Sequence, residues 1–591
     1  MSFQPNELQR RGRSAGILTA IAIGVLLVAF FRAQVIEHAE FALQSDDNRL
    51  NEVVLPAPRG MILDRNGQVI AENIPGYSVS ILSPKVDSLR ATLLRLSSIL
   101  PMSDSLIEVV VKRYRAAPAR PAIILNDASF EQVSILEEER NRFPSLVIQA
   151  APKRHYPDSQ AVASFVGYTA SISEAELETE RYKDYKPGQQ IGKAGLELQY
   201  EADIRGQDGS RFVEVDARGR VVRQGGGRPD RLPESGPDLR TTIDLDLQRF
   251  TASLFDSTMQ GGAVAMDPVT GAVLAFHSAP AFNPNDFIGG ISSRKFAALR
   301  TDPRKPLYNK ALQGTYPPAS TFKLATAIVA LEGGIVGLGD RMPQTCTGSY
   351  QFGTRPFRCW EKKGHGSLTL AQAIEKSCDV YFYQLGLRMG LDRLLAGGAK
   401  LAFGERTGID LPEENRPGWP QASAYFDRLY GKGGWTNAVI LNLSIGQGEN
   451  DQTVINMARF YTALATDGHA VRPHVVEKPV ERKKLFDLTP EQMAGLREAL
   501  AGVVSSRGTA ASAALKTFTV AGKTGTGQNS QNRLKDHAWF VGFAPKDDPK
   551  IVVAVLLEFG EHGYLAARIA SKMMERYLKA TIIQPVNVTG G

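Results

Sequence analysis

The sequence predicts a mixed α/β protein in which one membrane-spanning helix precedes two folded regions, the second built on a mixed, largely antiparallel sheet flanked by helices. Three observations lead to this prediction. An uncharged apolar segment stands near the N-terminus, a Gly- and Arg-rich stretch ends near residue 235, and beyond it two early strands and three late strands enclose a helical middle. This order of elements is typical of an α+β domain with helices on the faces of its sheet.

The composition is that of a globular protein. The chain has 591 residues, too many for one typical domain, with 43% hydrophobic and 22% charged residues. Its net charge of +7 raises the question of nucleic-acid binding. However, the basic residues are scattered, and no zinc-finger, RNP or helix-turn-helix pattern accompanies them. We therefore expect no nucleic-acid partner, and a basic exterior suited to an anionic membrane or cell-wall surface.

The N-terminal apolar segment predicts a single membrane anchor. Residues 15–31 carry no charge, and 33–36 continue the segment past one arginine, so that 17 to 22 residues are available to cross the membrane. This length spans a hydrocarbon core of roughly 30 Å. Arginines within 10–13 keep the tail, residues 1–14, in the cytoplasm. No A-x-A-like cleavage site follows, which favours an uncleaved helix over 15–36 rather than a signal peptide.

The first folded region is predicted to span residues 37–235. Near its start, Asn66-Gly67 stands between two short apolar segments, which indicates a β-hairpin with a type I′ turn. Helices are predicted at 87–100 and 129–143, and a loop and linker at 206–227, with the domain boundary near 232–237.

The second folded region is predicted to span residues 236–582, followed by a tail over 583–591. Its strands are short apolar runs, and its helices show the 3.6-residue period. The predicted strands are 261–267, 272–278, 517–526, 537–545 and 551–559, and the predicted helices are 321–332, 369–386, 453–466 and 564–580.

Three short motifs occur in order in this region and predict nucleophilic serine chemistry. They are Ser320-Thr321-Phe322-Lys323, Ser377-Cys378-Asp379 and Lys523-Thr524-Gly525-Thr526, whose first residues are 57 and 146 positions apart. S-x-x-K alone is expected by chance about once or twice in such a chain, and Ser292 to Lys295 also fits it. Ser320 is preferred because two prolines precede it and an apolar helical run follows, which predicts a helix N-terminus.

The spacing within these motifs suits the chemistry. A serine hydroxyl needs a nearby base. Residues i and i+3 share a helix face, so the amine of Lys323 is expected near the hydroxyl of Ser320. Burial and a neighbouring cation lower the pKa of such a lysine. The third motif is predicted on a strand, where Gly525 leaves room for a substrate along the strand edge.

These motifs make the chain resemble the class B penicillin-binding proteins over nearly its whole length. Asp379, in place of the commoner asparagine of S-x-N, is typical of their elongation-type transpeptidases. The resemblance implies a penicillin-binding transpeptidase fold behind an elongated α+β pedestal domain, and cross-linking of peptidoglycan stem peptides during lateral wall growth. Further matching segments are Pro58-Arg59-Gly60, Asp64-Arg65-Asn66-Gly67, Gly195-Leu196-Glu197 with Tyr200 and Gly206, and Gly446-Gln447-Gly448 with Thr453.

The resemblance also implies roles and partners. Ser320 attacks the penultimate D-Ala carbonyl of a stem pentapeptide, and β-lactams acylate the same serine. No cofactor is needed for catalysis. The implied partners are a SEDS-family glycosyltransferase, RodA, and elongation proteins such as MreC, and the implied location is the inner membrane with a periplasmic catalytic domain. Lys323 is implied to act as base, and Ser377 and Lys523 to relay the proton, within a site that includes Asp379. Thr524 and Thr526, on either side of Gly525, are implied to bind the terminal carboxylate of the stem peptide. The backbone amides of Ser320 and Thr526 are implied to form the oxyanion hole.

The cysteines are compatible with two interpretations, a zinc site or a disulfide. Cys346, Cys359 and Cys378 are the three cysteines of the chain and lie within 33 residues, with His365 among them. Three cysteines and one histidine are a ligand set for structural zinc, which would brace Ser377 and Asp379 through Cys378. The alternative is a Cys346–Cys359 disulfide in an oxidising compartment, with Cys378 free.

Two other functions fit the sequence less well than a transpeptidase does. A β-lactamase needs a deacylating base, and no E-x-x-L-N segment stands between the second and third motifs. The first folded region also has no use in a β-lactamase. A non-enzymatic β-lactam sensor would carry several membrane spans, and a scaffold would not need all three motifs intact.

Overall fold

The computed structural model describes most of the chain, and the fold is given for those residues. Residues 1–4 of the predicted tail 1–14, residues 584–591 of the predicted tail 583–591, and the glycines at 225–227 lie outside them. The described residues are 5–36, 50–83, 85–100, 102–116, 121–215, 221–224, 229–506, 508–529 and 535–583.

A long apolar helix begins the described chain. Helix α1, Pro5–Phe31, continues as a π-helical turn over Arg32–Ile36. The segment Gln9–Ile36 has a mean hydropathy of 2.4, and none of its most apolar window is buried against the protein. The predicted helix over 15–36 is therefore present, long enough and apolar enough to cross a membrane.

The first folded region is an α+β unit with two sheets. One sheet is antiparallel, in the order β1-β8-β9. The other has the order β10-β2-β3-β4, with β5 also paired to the long strand β3. A small hairpin joins β6 to β7. The strands are β1 Leu50–Leu55, β2 Ile62–Leu63, β3 Val69–Ile81, β4 Ala122–Ala128, β5 Leu146–His155, β6 Thr169–Ser171, β7 Gln190–Gly192, β8 Gly209–Val215, β9 Val221–Gln224 and β10 Leu239–Arg240.

Three helices, over 86–96, 104–116 and 130–138, form a separate apolar core with β3 to β5. The helix predicted at 87–100 ends at Leu96, and the helix predicted at 129–143 ends at Glu138. The helices are α2 Val86–Leu96, α3 Asp104–Ala116, α4 Phe130–Glu138, α5 Ala163–Val166, α6 Glu174–Leu177, α7 Gly195–Gln199 and α8 Glu201–Ile204.

The predicted hairpin is present, but its type I′ turn is wrong. Among the turn residues only Gly67 has a positive φ, of 86°, whereas a type I′ turn needs two such residues. The amide of Gly67 donates to the carbonyl oxygen of Asp64, and the Asp64 carboxylate accepts from the amides of Asn66 and Gln68. These side-chain hydrogen bonds select a longer connection with a register shift between β2 and β3.

The loop predicted at 206–227 is also wrong. It contains β8 and β9, and β8 pairs with β1 at every residue except Val215. The glycine and arginine content indicated a linker, whereas β8 pairs with residues about 160 positions earlier in the chain, around Val53, which composition does not show.

The second folded region is built on a five-stranded antiparallel sheet in the order β12-β11-β19-β18-β17. The predicted strands are therefore confirmed, except that the strand predicted at 517–526 begins at Ala521. Two two-stranded ribbons, β13–β14 and β15–β16, lie outside the sheet. The strands are β11 Gly261–Met266, β12 Val273–Ala279, β13 Ser349–Phe352, β14 Arg355–Arg358, β15 His469–Val471, β16 Arg482–Lys484, β17 Ala521–Gly527, β18 His537–Ala544 and β19 Ile551–Leu557.

Helices cover both faces of this sheet, so its inner strands are buried on both sides. Every residue of β18 and β19 is buried, which explains their continuous apolar runs in place of alternation. Helices α9 and α19 form one core with the sheet, and α11 and α17 belong to the larger core on the other face. The helices are α9 Leu245–Ser253, α10 Ser293–Thr301, α11 Lys323–Glu332, α12 Leu370–Glu375, α13 Asp379–Met389, α14 Leu391–Lys400, α15 Ala424–Tyr430, α16 Ala438–Ser444, α17 Val454–Ala465, α18 Pro490–Val504 and α19 Gly563–Leu578.

A buried ion network joins the sequence motifs of the first region. Glu197 is fully buried and accepts from Arg59 Nε at 2.5 Å and from Arg154 Nε at 2.7 Å. Arg59 also pairs with Glu201 at 2.7 Å. Burial alone would raise the pKa of Glu197, but the two arginines more than offset it and hold that pKa below its ordinary value. The Pro58-Arg59-Gly60 and Gly195-Leu196-Glu197 segments are therefore two halves of one structural feature.

The two regions are also linked directly. The hydroxyl of Tyr200 donates to Asp410 Oδ2 at 2.8 Å. Asp410 is buried and accepts further hydrogen bonds from the amides of Val475 and Val476. Tyr200 is another residue of the first-region motifs, so these motifs also serve the contact with the second region.

Candidate active site

Ser320 lies in a turn that leads directly into a buried helix. The 3₁₀ turn Ala319–Phe322, here called the nucleophile turn, follows two prolines and continues into α11. Ala319 has a φ of 49°, a conformation rare for a residue with a side chain. Its amide is held by the carbonyl oxygen of Gly446 at 2.9 Å. The helix N-terminus predicted for Ser320 is confirmed.

The second S-x-x-K match has a different environment. Ser292 also stands at a helix start, where its hydroxyl accepts from the amide of Lys295 at 3.3 Å. The sequence predicts a helix start at Ser320 but not at Ser292. Both serines stand at one, so this feature does not distinguish them. Burial does, since α10 has no buried residue, whereas nine of the ten residues of α11 are buried. Ser292 is a helix cap on the surface.

The second motif lies at a break between two helices. One helix was predicted over 369–386, and this is wrong, because α12 ends at Glu375 and α13 begins at Asp379. At the break, Ser377 has a φ of 53°. This left-handed conformation ends a helix and is uncommon for serine, and such strain is often found at functional sites.

Lys323 connects the first motif to the second. The lysine is fully buried, and its Nζ lies 2.7 Å from Asp379 Oδ1, 2.8 Å from the carbonyl oxygen of Ser377 and 3.2 Å from Ser377 Oγ. These three acceptors match the three protons of an ammonium group. Among the described residues, these three contacts are the hydrogen bonds of Lys323 Nζ, and none of them is to the Ser320 hydroxyl.

Lys523 is a second buried lysine in the same site. Its Nζ donates to the carbonyl oxygen of Thr524 at 3.0 Å. Burial holds the pKa of Lys523 well below its ordinary value, and the charge of Lys323 lowers it further, while Asp379 opposes the shift. The lysine whose pKa is clearly lowered is therefore Lys523, and Lys323 is the one that forms the ion pair.

The third motif lies on β17, the edge strand of the sheet, beside the nucleophile turn. A Cβ atom at Gly525 would lie 3.0 Å from the carbonyl oxygen of Pro318 and 3.2 Å from Thr321 Cγ2. The missing side chain of Gly525 therefore makes room for the nucleophile turn. The sequence had suggested that it makes room for a substrate. Close packing of β17 against this turn brings the first and third motifs together.

The two threonines of the third motif differ in exposure. Thr526 is exposed at the edge of the sheet, whereas Thr524 is buried. The hydroxyl oxygens of Thr524 and Thr509 are hydrogen bonded at 2.6 Å. Thr509 stands in no motif, and only the fold shows that it supports Thr524.

Trp360 is a further residue of the site that the sequence did not single out. Its backbone amide donates to Asp379 Oδ2 at 3.0 Å, and its indole nitrogen lies 3.1 Å from the carbonyl oxygen of Ser377. The side chain is 54% exposed. Its one signal in the sequence is its position directly after Cys359.

The three cysteines and His365 meet beside the second motif. Nδ1 of His365 lies 3.7 Å from Cys346 Sγ and 3.5 Å from Cys359 Sγ, and the four donor atoms, with Cys378 Sγ, are within 4.8 Å of one another. Nitrogen and sulfur ligands of tetrahedral zinc are about 3.6 Å apart. None of the cysteines forms a disulfide. The donor set therefore fits zinc.

Comparison with known proteins agrees with this site. Residues 261–575 match the family model described as the penicillin binding protein transpeptidase domain. Residues 54–241 match the penicillin-binding protein dimerisation domain. The chain is 34% identical to the peptidoglycan D,D-transpeptidase MrdA of Acinetobacter baumannii, over 97% of this chain and 89% of the relative.

Solved structures agree as well. A complex of penicillin-binding protein PBP2 with MreC from Helicobacter pylori superposes with a TM-score of 0.78 at 27% identity, covering 90% of this chain and 99% of that one. A peptidoglycan synthase complex, described for its coordination of polymerization and crosslinking, gives a TM-score of 0.69 at 29% identity, covering 98% of this chain and all of that one. The chain therefore belongs to the penicillin-binding protein 2 (MrdA) family of peptidoglycan D,D-transpeptidases.

Proposed function

We propose that Ser320 is the nucleophile of this transpeptidase and that a donor stem peptide acylates it. The observation that supports the proposal is the convergence of the three motifs on the nucleophile turn. Lys323 follows Ser320 by one turn and is bonded to Ser377 and Asp379. Gly525 packs against the turn from the other side. A serine in a turn that packs against the edge strand of a sheet suits attack on an extended peptide.

The proton of the Ser320 hydroxyl must reach the leaving amine of D-Ala. We assign Lys323 as the group that accepts it and Ser377, 3.2 Å from Lys323 Nζ, as the next member of the relay. Burial and the charge of Lys323 lower the pKa of Lys523, which makes its ammonium form a readier proton donor. We therefore assign Lys523, together with Ser377, to the relay that delivers the proton to the leaving amine.

The edge strand supplies the remaining groups. The backbone amides of Ser320 and Thr526 are assigned to the oxyanion hole, where each donor typically contributes a few kcal/mol to the transition state. Thr526, which is exposed, and Thr524 are assigned to the terminal carboxylate of the stem peptide. Gly525 between them allows β17 to approach the nucleophile turn.

Penicillin labelling tests the assignment of Ser320. The full chain in detergent is incubated with a fluorescent penicillin, digested, and the modified peptide is mapped by mass spectrometry. We expect one adduct, on Ser320, and no adduct in Ser320→Ala. Ser292→Ala is the matched control and should label like the wild type. An adduct elsewhere, or labelling of Ser320→Ala, would refute the assignment.

The lifetime of the adduct separates the transpeptidase from the β-lactamase alternative. A transpeptidase site that lacks a dedicated deacylating base should hold the acyl adduct for hours. Release within seconds would favour a β-lactamase. The full-length match to MrdA, and the first folded region that comes with it, already favour the transpeptidase.

We infer a place for the protein at the cell envelope. Helix α1 anchors it to the membrane, and we propose that the anchor is single-pass in the inner membrane, with residues 1–14 in the cytoplasm and the catalytic domain in the periplasm. We propose domain limits of 37–235 and 236–582. The Helicobacter pylori relative is in complex with MreC, and another similar structure is a synthase that also polymerizes. We therefore propose an MreC-like partner and a RodA-type glycosyltransferase partner.

We also propose that Cys346, Cys359, His365 and Cys378 hold a structural zinc ion. Three of the four side chains are buried, and thiolate and imidazole are ligands that zinc prefers. The bound ion would supply a fixed cross-link among segments that have little regular structure. Cys359 precedes Trp360, and Cys378 lies between Ser377 and Asp379, so the cluster would hold the second motif in place without touching the reacting atoms.

A further inference from the structure

A tight turn that precedes α17 lies between the nucleophile turn and the end of β17. Its residue Gly446 has a φ of 75°, and a Cβ atom there would lie 2.2 Å from the carbonyl oxygen of Ala319. The carbonyl oxygen of Gly446 in turn accepts from the amide of Ala319 at 2.9 Å. The next residue, Gln447, donates its own amide to Asn442 at 2.9 Å. The Gln447 side chain therefore projects from a base that is fixed to the nucleophile turn.

That side chain reaches the free edge of the sheet. Nε2 of Gln447 lies 3.2 Å from the carbonyl oxygen of Thr526. Strand β17 pairs on one side with β18 and has no other partner strand in the described chain. The carbonyls of Thr524 and Thr526 point the same way because they are two residues apart, and they accept from Lys523 and Gln447. These two outward carbonyls of the edge are thus occupied by side-chain donors.

The two donors differ in how easily a ligand can replace them. Lys523 is fully buried, whereas Gln447 is half-buried and Thr526 is exposed. A peptide that adds to the edge as a further strand needs a carbonyl acceptor for its own N–H group. Of the two carbonyls, only that of Thr526 is held by a donor that can swing into solvent.

We propose that Gln447 is a positioning residue that occupies the Thr526 carbonyl in the free enzyme and yields it to an amide N–H group of the donor substrate. This inference rests on the proposed function of Ser320 and assigns substrate selection to a residue outside the three motifs. A ligand with an N–H group at this place exchanges one hydrogen bond for another. A ligand without one must either leave Gln447 in place or leave the carbonyl unpaired.

Two classes of β-lactam distinguish these cases. Benzylpenicillin carries an acylamino N–H group, and a carbapenem lacks it. The second-order acylation rate constants of both are measured on the full chain in detergent, and their ratio, penicillin over carbapenem, is the readout. Gln447→Ala removes the competing donor, so we expect the ratio to rise roughly three- to tenfold, the range of one neutral hydrogen bond. Gln447→Glu, which cannot donate, should also raise it.

A merely structural role would change both rate constants by the same factor and leave the ratio as in the wild type, which would overturn the proposal. A fall in the ratio would overturn it too. The matched control is Gln351→Ala, which removes a similar bond from Gln351 Nε2 to the carbonyl oxygen of Gly353, 2.9 Å long, on the β13–β14 ribbon. It should leave the ratio unchanged. Labelling of Ser320→Ala would instead refute the proposed function, so the two failures are distinguishable.

Discussion

Lys323 Nζ lies 2.7 Å from Asp379 Oδ1, in an ion pair whose lysine is fully buried and whose aspartate side chain is 13% exposed. The pair ties α11, which follows the nucleophile, to α13, which follows the second motif. A buried ion pair offsets its desolvation cost only when its remaining polar groups are satisfied. Here Ser377 accepts the other Lys323 protons, and the Trp360 amide donates to the second carboxylate oxygen.

Loss of this carboxylate should destabilise the catalytic domain. Asp379→Ala leaves the Lys323 ammonium group buried without an anion, and we expect the free energy of unfolding to fall by roughly 3–5 kcal/mol. Asp379→Asn keeps an acceptor and should cost about 1–3 kcal/mol. The chain has four tryptophans, 360, 419, 435 and 539, all in the second region, so tryptophan fluorescence during urea unfolding in detergent reports on this domain. Equal stability of Asp379→Ala and the wild type would contradict the prediction.

The lowered pKa of Lys523 predicts a pH-dependent stability. Burial, with a smaller effect of Lys323, lowers the pKa of the amine in the folded state, whereas in the unfolded chain it binds a proton below its ordinary pKa of about 10.5. The folded state then binds fewer protons, so stability falls as the pH falls from about 10.5 toward the folded-state pKa, and levels off below it. The loss approaches about 1.4 kcal/mol per pH unit within that window.

Lys523→Met isolates this effect because methionine has no titrating group. The unfolding free energy of the wild type minus that of Lys523→Met should decrease as the pH is lowered from about 10.5. Urea unfolding followed by tryptophan fluorescence at a series of pH values gives the difference. Lys550→Met, which removes an exposed lysine of a surface ion pair, serves as the control and should give a flat difference. A flat profile for Lys523→Met would show that its amine is charged in the folded protein.

The ion network of the first region predicts a large effect for Glu197. Its side chain is fully buried between Arg59 and Arg154. Glu197→Gln removes the negative charge that lies between these two buried arginines. We expect a loss of roughly 3–5 kcal/mol. Glu174→Gln breaks the exposed pair with Lys112 and should cost less than about 1 kcal/mol.

Hydrogen exchange measures the Glu197 prediction, because the first region has no tryptophan. Amides of β3 and β5 should exchange faster in Glu197→Gln than in the wild type, and those of β18 and β19 should change little. The same protection in the variant and the wild type would mean that the arginines find other partners.

The cysteine cluster predicts bound zinc. We expect about one equivalent per chain by mass spectrometry of the protein purified without added metal, and clearly less in His365→Ala. Removal of the ion by a chelator should lower the midpoint of thermal unfolding. Less than about a tenth of an equivalent in the wild type would exclude the structural zinc, since such sites bind tightly.

Much of this protein could be predicted from short stretches of sequence. The anchor over 15–36, the strands at 261–267 and 551–559, and the helix that follows Ser320 depend on local periodicity and composition, which the chain carries within a few residues. The errors arose where a side chain or a distant strand overrides the local pattern. Asp64 selects a longer turn than Asn66-Gly67 favours, and the strand at 209–215 forms because β1 offers a partner.

The sequence by itself determined the family and which residues are candidates for the chemistry: a serine with a lysine one turn later, a second motif and a third. The tertiary structure decided how they are arranged. In the folded chain, α12 ends before Ser377 and α13 begins after it, Lys323 pairs with Asp379, and Lys523 is the buried lysine with the lowered pKa. The fold also brings Gln447 to Thr526. These relationships depend on distance and burial between residues far apart in the chain, and no local pattern encodes them.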